Sequence, residues 1–386
     1  MIPIDEALRS LGLADSVRVL RVQSGYPAPR TVNLVLRRHA GRTLLFECSA
    51  ARPDIRDEVL AALAAEGVRR LDALVITHCH GDHGGAAGIV SGIGRPEGER
   101  APIFLHSAGY RFLTHPEASF LHETYEIFLA RAHWGLIEYN ALADRELVDH
   151  ELRRRYRGFF AETPMRALSF VDHGQLPEGL LALHTPGHSH DCTFYFDEAL
   201  GIAIPGDTLL TTGRPDDPST HGFAIPIFTV AGQVYSMAFA AFLRTIRRLR
   251  RFFSEHEVRA VIPPHGAFAI TEPIAWCSFA ERYFETVYQT FRGGFLNDPR
   301  ERWASRPFRA RDLRPYLPTA GSHPISTASH GFGMLCLLAD EGYLGLEEDP
   351  HTRQITFRMR ELPPSDWLEA RLAEKIGPLA LLRGTR

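Results

Sequence analysis

Short β-rich runs separated by turn residues dominate the first part of the chain. Val17 to Val22, Thr31 to Arg37 and Thr43 to Cys48 are β-rich runs set between turn signals, predicting strands of an antiparallel or mixed sheet. Asp54 to Glu66 carries Ile55, Val59 and Leu63 at helical spacing and runs into Gly67, which predicts a helix with a glycine stop. Leu71 to Thr77 is almost continuously apolar, as expected of a strand buried on both faces. Further strands are predicted at Leu180 to His184, Thr193 to Phe196, Gly201 to Ile204 and Val258 to Ile262. Val234 to Phe253 puts Phe239, Phe242, Leu243, Ile246, Leu249 and Phe253 on one helical face. Arg244, Arg247, Arg248, Arg250 and Arg251 fall mostly on the other, which reads as a solvated face before it reads as a nucleic-acid surface.

Two stretches break this pattern. Residues 107–168 mix aromatic and charged residues, with helical spacing over Ala118 to Trp134 and Arg145 to Phe160, and read as an insertion between sheet elements. It would serve either as an apolar lid or as a packing or dimerisation element. Beyond Trp276 the chain is richer in Arg, Phe and Pro. There, a helix over Ile325 to Glu341, a turn through Gly342 to Leu346 and a β-rich run Gln354 to Met359 suggest a small winged-helix-like module. The expected division is 1–275 as the main domain and 276–386 as a C-terminal helical module.

Composition narrows the function classes. The 386 residues are 45% hydrophobic and 23% charged, enough for a sizeable core without disulfides. A formal net charge of −3 argues against a protein built chiefly to grip phosphate backbones. Lys375 is the single lysine, beside 42 arginines, and it sits in Glu374-Lys375-Ile376. That excludes a Walker phosphate loop, and only Lys375 could support Schiff-base chemistry. Five cysteines (Cys48, Cys79, Cys192, Cys277, Cys336) form no C-x-x-C pair, as expected of a reduced, cytoplasmic protein. No N-terminal signal pattern and no apolar run of about 18 residues is found, so no membrane partner is expected.

The chemistry concentrates in Thr77-His78-Cys79-His80-Gly81-Asp82-His83-Gly84-Gly85. A cluster of imidazoles at a buried strand end leaves ring nitrogens unpaired, at about 1–3 kcal/mol each. A divalent cation removes that penalty, because imidazole and carboxylate suit zinc and related ions. Three later segments each follow a strand: Pro186-Gly187-His188, Pro205-Gly206-Asp207 and Pro264-His265-Gly266. A lone histidine after a strand is more often a hydrogen-bonded loop residue. Together with the first cluster they supply seven ligands, the number that two cations sharing a carboxylate require.

The ordered set resembles the metallo-β-lactamase superfamily, whose H-x-H-x-D-H signature stands here at His78, His80, Asp82 and His83, with later matches at His188, Asp207 and His265. The resemblance covers residues 15–270 and implies an αββα sandwich of the α/β class with the metals at one edge of paired sheets. It also implies a division of ligands. His78, His80 and His188 would hold one ion, Asp82, His83 and His265 the other, with Asp207 bridging. Where the family often has an aspartate after the early strand, this chain has Glu47-Cys48-Ser49, and Glu47 is expected to orient a ligand histidine. Cys79 and Cys192 are expected in the core. An aspartate at 207, where several β-lactam hydrolases of the superfamily carry cysteine, resembles the glyoxalase II, lactonase, nuclease and thioesterase branches.

The implied activity is hydrolysis of an ester, thioester or lactone of a small apolar acyl substrate. Two divalent ions, zinc first with iron or manganese as alternatives, would share a hydroxide, and Asp82 or Asp207 would carry the proton to the leaving group. A phosphodiesterase or nuclease, and an iron-dependent oxygenase on the same scaffold, remain alternatives. Arg214, His190 and Phe223 are candidates to line the substrate pocket. The expected partner is a small molecule; a homo-oligomer is left open.

Overall fold

The computed structural model describes residues 1–26, 29–110, 132, 167–214, 216–228, 235–296, 306–316, 324–351 and 354–384. Almost all of the aromatic insertion, including both of its expected helices but for Ala132, lies outside the described residues.

After β1 (Ile2–Pro3) and α1 (Ile4–Ser10), the chain lays down β2 (Val17–Gln23), β3 (Thr31–His39) and β4 (Arg42–Phe46) as an antiparallel meander. Helix α2 (Pro53–Ala65) then crosses over to β5 (Ala73–Val75), parallel to β4. Two short helices, α3 (Gly81–Gly84) and α4 (Ala87–Val90), precede β6 (Ile103–Leu105), and β7 (Leu168–Phe170) completes a six-stranded sheet in the order β2-β3-β4-β5-β6-β7. The insertion is therefore the connection between two neighbouring parallel strands, β6 and β7.

The second sheet contains β8 (Leu180–His184), β9 (Thr193–Asp197), β10 (Ile202–Ile204) and β13 (Ala260–Val261), with the C-terminal β17 (Leu382–Arg383) on its edge. Between β10 and β13 come a hairpin of β11 (Leu210–Arg214) and β12 (Asp217–Ala224), then α5 (Tyr235–Glu255). β14 (Phe268–Ala269) pairs with β1. The chain continues with α6 (Pro273–Leu296), α7 (Pro324–Asp340), the hairpin β15 (Leu344–Glu348) and β16 (Ile355–Met359), and α8 (Trp367–Ala373).

Strand alternation builds three apolar layers. On β3, Val32, Leu34 and Leu36 face α2, where they meet Ile55, Val59 and Leu63. Val35 faces the other way and joins Phe46, Val75, Ala182, Tyr195 and Ile204 between the sheets. The outer face of the second sheet, through Leu181, Leu183, Phe194 and Phe196, packs on α5. This is an αββα sandwich, as the resemblance implies.

The outer layer does not stop at residue 275. Trp276 and Phe284 of α6, Phe332 and Leu335 of α7, Phe357 and Trp367 all belong to the same buried cluster as α5. The expected C-terminal helix and hairpin form, at Pro324–Asp340 and Leu344–Met359. Residues 329–336 of that helix are all buried, so along this stretch α7 presents no free face. Four of the five arginines of α5 are likewise engaged, while Arg244 is exposed. Arg247 meets the Arg371 carbonyl and Glu374, Arg248 the His184 carbonyl, Arg250 Ser278 and Glu281, and Arg251 Glu255.

Two strands are shorter than their apolar patterns suggest, Ala73–Val75 within Leu71 to Thr77 and Ala260–Val261 within Val258 to Ile262. Backbone bonds from the Ile76 amide to the Phe104 carbonyl and from the Ile262 amide to the Ala203 carbonyl carry each segment one residue past its strand.

Candidate metal centre

Four strand ends converge on one edge of the sandwich. Beyond β5, His78 leaves the sheet and His80 takes the extended N-cap position of α3 (φ −65°, ψ 153°), so that Asp82 and His83 ride the first turn of that helix. His188 stands in the turn between β8 and β9, Asp207 just after β10, and His265 just after β13.

The seven side chains meet. His80 Nδ1 lies 2.9 Å from His78 Nε2 and 2.9 Å from His188 Nε2. His83 Nε2 is 3.6 Å from Asp82 Oδ1 and 3.5 Å from Asp207 Oδ1; His265 Nε2 is 3.4 Å from Asp82 Oδ2 and 3.3 Å from Asp207 Oδ1. The other oxygen of Asp207, Oδ2, lies 3.4 Å from His188 Nε2. Among the described residues, three overlapping groups could each hold a metal ion, with ligand atoms within 4.8 Å of one another: His78, His80 and His188; His78, His83 and Asp207; Asp82, His83 and His265.

The outer nitrogens of the rings are fixed by the surrounding chain. His188 Nδ1 donates to the Ile227 carbonyl at 2.6 Å, and His265 Nδ1 to the Thr31 carbonyl at 2.7 Å. Thr77 Oγ1 donates to the Glu47 carboxylate, which leaves it to accept from His78 Nδ1 at 3.1 Å. In each case Nε2 is the nitrogen turned toward the other donors, the arrangement by which outer partners orient metal-binding imidazoles.

The electrostatics of the cluster are those of a cation site. Burial works against ionising Asp82 and Asp207, yet the facing histidines hold both below the usual carboxylate range. Burial likewise opposes charge on His265, but Asp207 and Asp82 outweigh it and lift the imidazole to about 9. His83 moves up for the same reason, with Asp82, Asp207 and Glu47 overcoming burial. His78, by contrast, is pushed well down by burial and by the neighbouring imidazoles. Three buried polar atoms turned into the cluster, His83 Nε2, Asp207 Oδ1 and His265 Nε2, have no hydrogen-bond partner among the described residues. Such atoms cost about 1–3 kcal/mol each, and a divalent cation held among them removes that cost. The donor set fits the group.

One supporting residue was not legible as such in the sequence. Asn33, on the inter-sheet face of β3, donates to the Pro263 and Gly266 carbonyls at 2.9 and 2.8 Å, and its own N–H reaches the Pro264 carbonyl at 2.6 Å. It thereby fixes the His265 turn. Its signal was available: a polar residue at the inward-facing register of a buried strand needs a partner. Asp191 accepts from the Cys79 N–H at 2.8 Å and from the Ser189 hydroxyl at 2.6 Å, tying the two histidine turns together. Glu47 takes the Thr77 amide and hydroxyl and faces His83 Nδ1 at 3.4 Å. It holds a left-handed backbone (φ 66°), as does Ser49 (φ 61°). Cys79 and Cys192 are buried thiols, among five free cysteines.

The three candidate pocket residues are not part of the cluster. Arg214 is exposed at the end of β11 and pairs with Asp216 at 3.1 Å. Phe223 packs against Phe279 of α6, with ring centroids 5.7 Å apart. His190 Nε2 donates to the Ala108 carbonyl at 2.8 Å, beside the start of the insertion.

An αββα sandwich with a buried histidine and carboxylate cluster at its sheet edge defines a metallohydrolase scaffold. The chain belongs to the metallo-beta-lactamase superfamily, whose sequence model matches residues 27–251. Among solved structures it is similar to a metallo-beta-lactamase family protein from Thermus thermophilus, with a TM-score of 0.59 at 22% identity over 90% of this chain and 99% of that one. A beta-lactamase domain protein from Burkholderia ambifaria is similar with a TM-score of 0.60 at 18% identity, over 90% of this chain and 94% of that one. At these identities the likeness concerns the fold. No curated protein matches the chain.

Proposed function

We propose that the chain is a dinuclear metal-dependent hydrolase of a carboxylic acyl bond, an ester, thioester or lactone. The observation that carries this reading is the division of Asp207: Oδ1 faces His83 and His265, while Oδ2 faces His188. A carboxylate so placed can serve two neighbouring cations. In this reading His78, His80 and His188 hold one, Asp82, His83 and His265 the other, and Asp207 both. Imidazole and carboxylate donors favour zinc, with iron or manganese acceptable.

Bound divalent ions would supply Lewis acidity and bring the pKa of a water toward 7. The chain's own contribution is orientation and proton handling. Asp82 and Asp207, buried with their oxygens turned into the cluster, are placed to take a proton and return it to the leaving group. Glu47, Thr77, Ile227 and Thr31 hold the histidine rings in place.

A carboxylic acyl substrate is favoured over a phosphodiester on charge. The chain carries −3 overall, and Arg247, Arg248, Arg250 and Arg251 of α5 are bound to internal partners rather than lining an open basic channel. The aspartate at position 207 supports the glyoxalase II, lactonase, nuclease and thioesterase branches together, and charge is what disfavours the nuclease among them. His190 at the base of the insertion is the best placed of the three pocket candidates.

The test is metal analysis of protein purified without chelator, followed by a panel of thioesters, lactones and bis-(p-nitrophenyl) phosphate. About two equivalents of metal with turnover of an acyl substrate is expected. Turnover of the phosphodiester alone would reject the acyl assignment. Metal content near zero in protein that takes up none on titration would reject the metal reading itself.

A further inference from the structure

The segment Pro226–Ile227–Phe228, between β12 and α5, is bound at three successive residues. Its middle carbonyl, that of Ile227, accepts from His188 Nδ1 at 2.6 Å. The carbonyl before it, that of Pro226, accepts from His330 Nε2 at 2.6 Å. The amide after it, that of Phe228, donates to Ser329 Oγ at 3.2 Å. Ser329 and His330 belong to α7, far outside residues 27–251, which the superfamily's sequence model matches.

His330 is itself fixed. It is fully buried, Tyr283 Oη of α6 donates to its Nδ1 at 2.9 Å, and its ring packs 4.6 Å from that of Phe228. A donor on Nδ1 leaves Nε2 as the protonated nitrogen, so the bond to Pro226 runs in one direction. Burial also keeps the ring neutral, its pKa lowered to about 4.

We infer that Ser329 and His330 are positioning residues for the metal centre: by pinning the backbone on both sides of Ile227, α7 sets the carbonyl that orients the His188 ring. The inference rests on the proposal that His188 is a metal ligand. It makes the C-terminal helices part of the site's support, not an appended module. Removing a direct outer partner of a ligand histidine changes metal affinity by about 10–100-fold, and Ser329 and His330 act one step further out, through the backbone that carries that partner.

The test uses the full chain, stripped of metal and titrated with Co2+, reading its visible absorption and the two dissociation constants. His330→Leu removes the donor, His330→Gln keeps a donor and an acceptor at similar reach, and Ser329→Ala deletes one hydroxyl. Leu338→Ala, two turns further along α7, controls for loss of packing alone. For His330→Leu we expect one dissociation constant to weaken about 10-fold or more, with an altered absorption band. His330→Gln should recover to within about threefold of wild type, and Leu338→Ala should bind as wild type does. Wild-type affinity in folded His330→Leu overturns the inference, as does equal weakening in Leu338→Ala. Should His330→Leu not fold, Ser329→Ala decides: weakening of about threefold or more supports the inference, and unchanged affinity overturns it. His188→Ala separates the two levels, because wild-type Co2+ binding there defeats the ligand assignment itself.

Discussion

His83 Nδ1 faces Glu47 Oε1 at 3.4 Å, with neither side chain exposed to solvent. Glu47 also accepts from the amide and hydroxyl of Thr77, and Thr77 in turn meets His78 Nδ1. One carboxylate therefore steadies two histidines of the cluster. Glu47→Ala should weaken metal binding by about 10–100-fold, and Glu47→Asp, one methylene shorter, by less. Competition with a chromophoric chelator measures both. Wild-type affinity in Glu47→Ala would show that the carboxylate has no part in holding the rings.

The two sheets are joined through their inner faces by an ion pair. Arg37 Nε on β3 donates to Asp197 Oδ2 on β9 at 2.7 Å, with side-chain exposures of 4% and 1%. Asp197 Oδ1 accepts from the amides of Ala199 and Leu200. Removing one partner leaves an uncompensated buried charge, so Arg37→Met should cost about 3–5 kcal/mol of unfolding free energy. Adding Asp197→Asn should recover part of that loss, since the amide keeps an acceptor for Ala199 and Leu200 without the charge. Urea unfolding of the two variants tests the order of stabilities; a double variant less stable than Arg37→Met would contradict it.

His330 gives the acid limb of stability a traceable component. Burial, resisted only by the bond to Pro226, lowers its pKa to about 4, whereas an unfolded histidine titrates near about 6.5. Below 6.5 the unfolded chain binds a proton that the folded chain refuses, so this contribution is intact above 6.5 and is lost as pH falls toward 4. At about 1.4 kcal/mol per pH unit, the loss between pH 7 and 4.5 is about 2–3 kcal/mol. His330→Gln, which does not titrate, should lose less stability than wild type over that interval by about this amount. Parallel pH profiles would rule out a neutral buried ring.

The cluster was legible in the sequence because its residues follow strand ends and sit in short motifs of restricted residue types. His78, His80, Asp82 and His83 lie within six positions, and His188, Asp207 and His265 each follow a glycine or proline turn. β-rich runs between turn signals likewise gave the strands from Val17 to Phe46 to within two residues at each end. What was not legible depends on contacts across long stretches of chain. Ile103–Leu105 and Leu382–Arg383 are too short to show a period, and they exist as strands because a neighbouring strand offers a ladder. The roles of Asn33, Ser329 and His330 depend on partners 101 to 233 positions away. A buried polar residue announces in sequence that it has a partner, not which one.

Gly206 offers a last test of how tightly this edge is built. Its backbone is left-handed (φ +55°), and a Cβ placed there would stand 2.6 Å from Thr77 Oγ1 and 2.8 Å from Thr77 Cβ. Thr77 cannot retreat without releasing Glu47 and His78. Gly67 has a similar backbone (φ +70°) but open space where a Cβ would go. Gly67→Ala should therefore cost only the conformational strain, about 1 kcal/mol, and leave metal binding alone. Gly206→Ala adds overpacking of about 1–3 kcal/mol and should weaken metal binding as well, because the displaced Thr77 side chain is the one that holds both Glu47 and His78. Urea unfolding and chelator competition on the pair separate the two effects. Equal stability losses with unchanged metal affinity in both variants would mean that Thr77 yields freely and that this edge is softer than its contacts indicate.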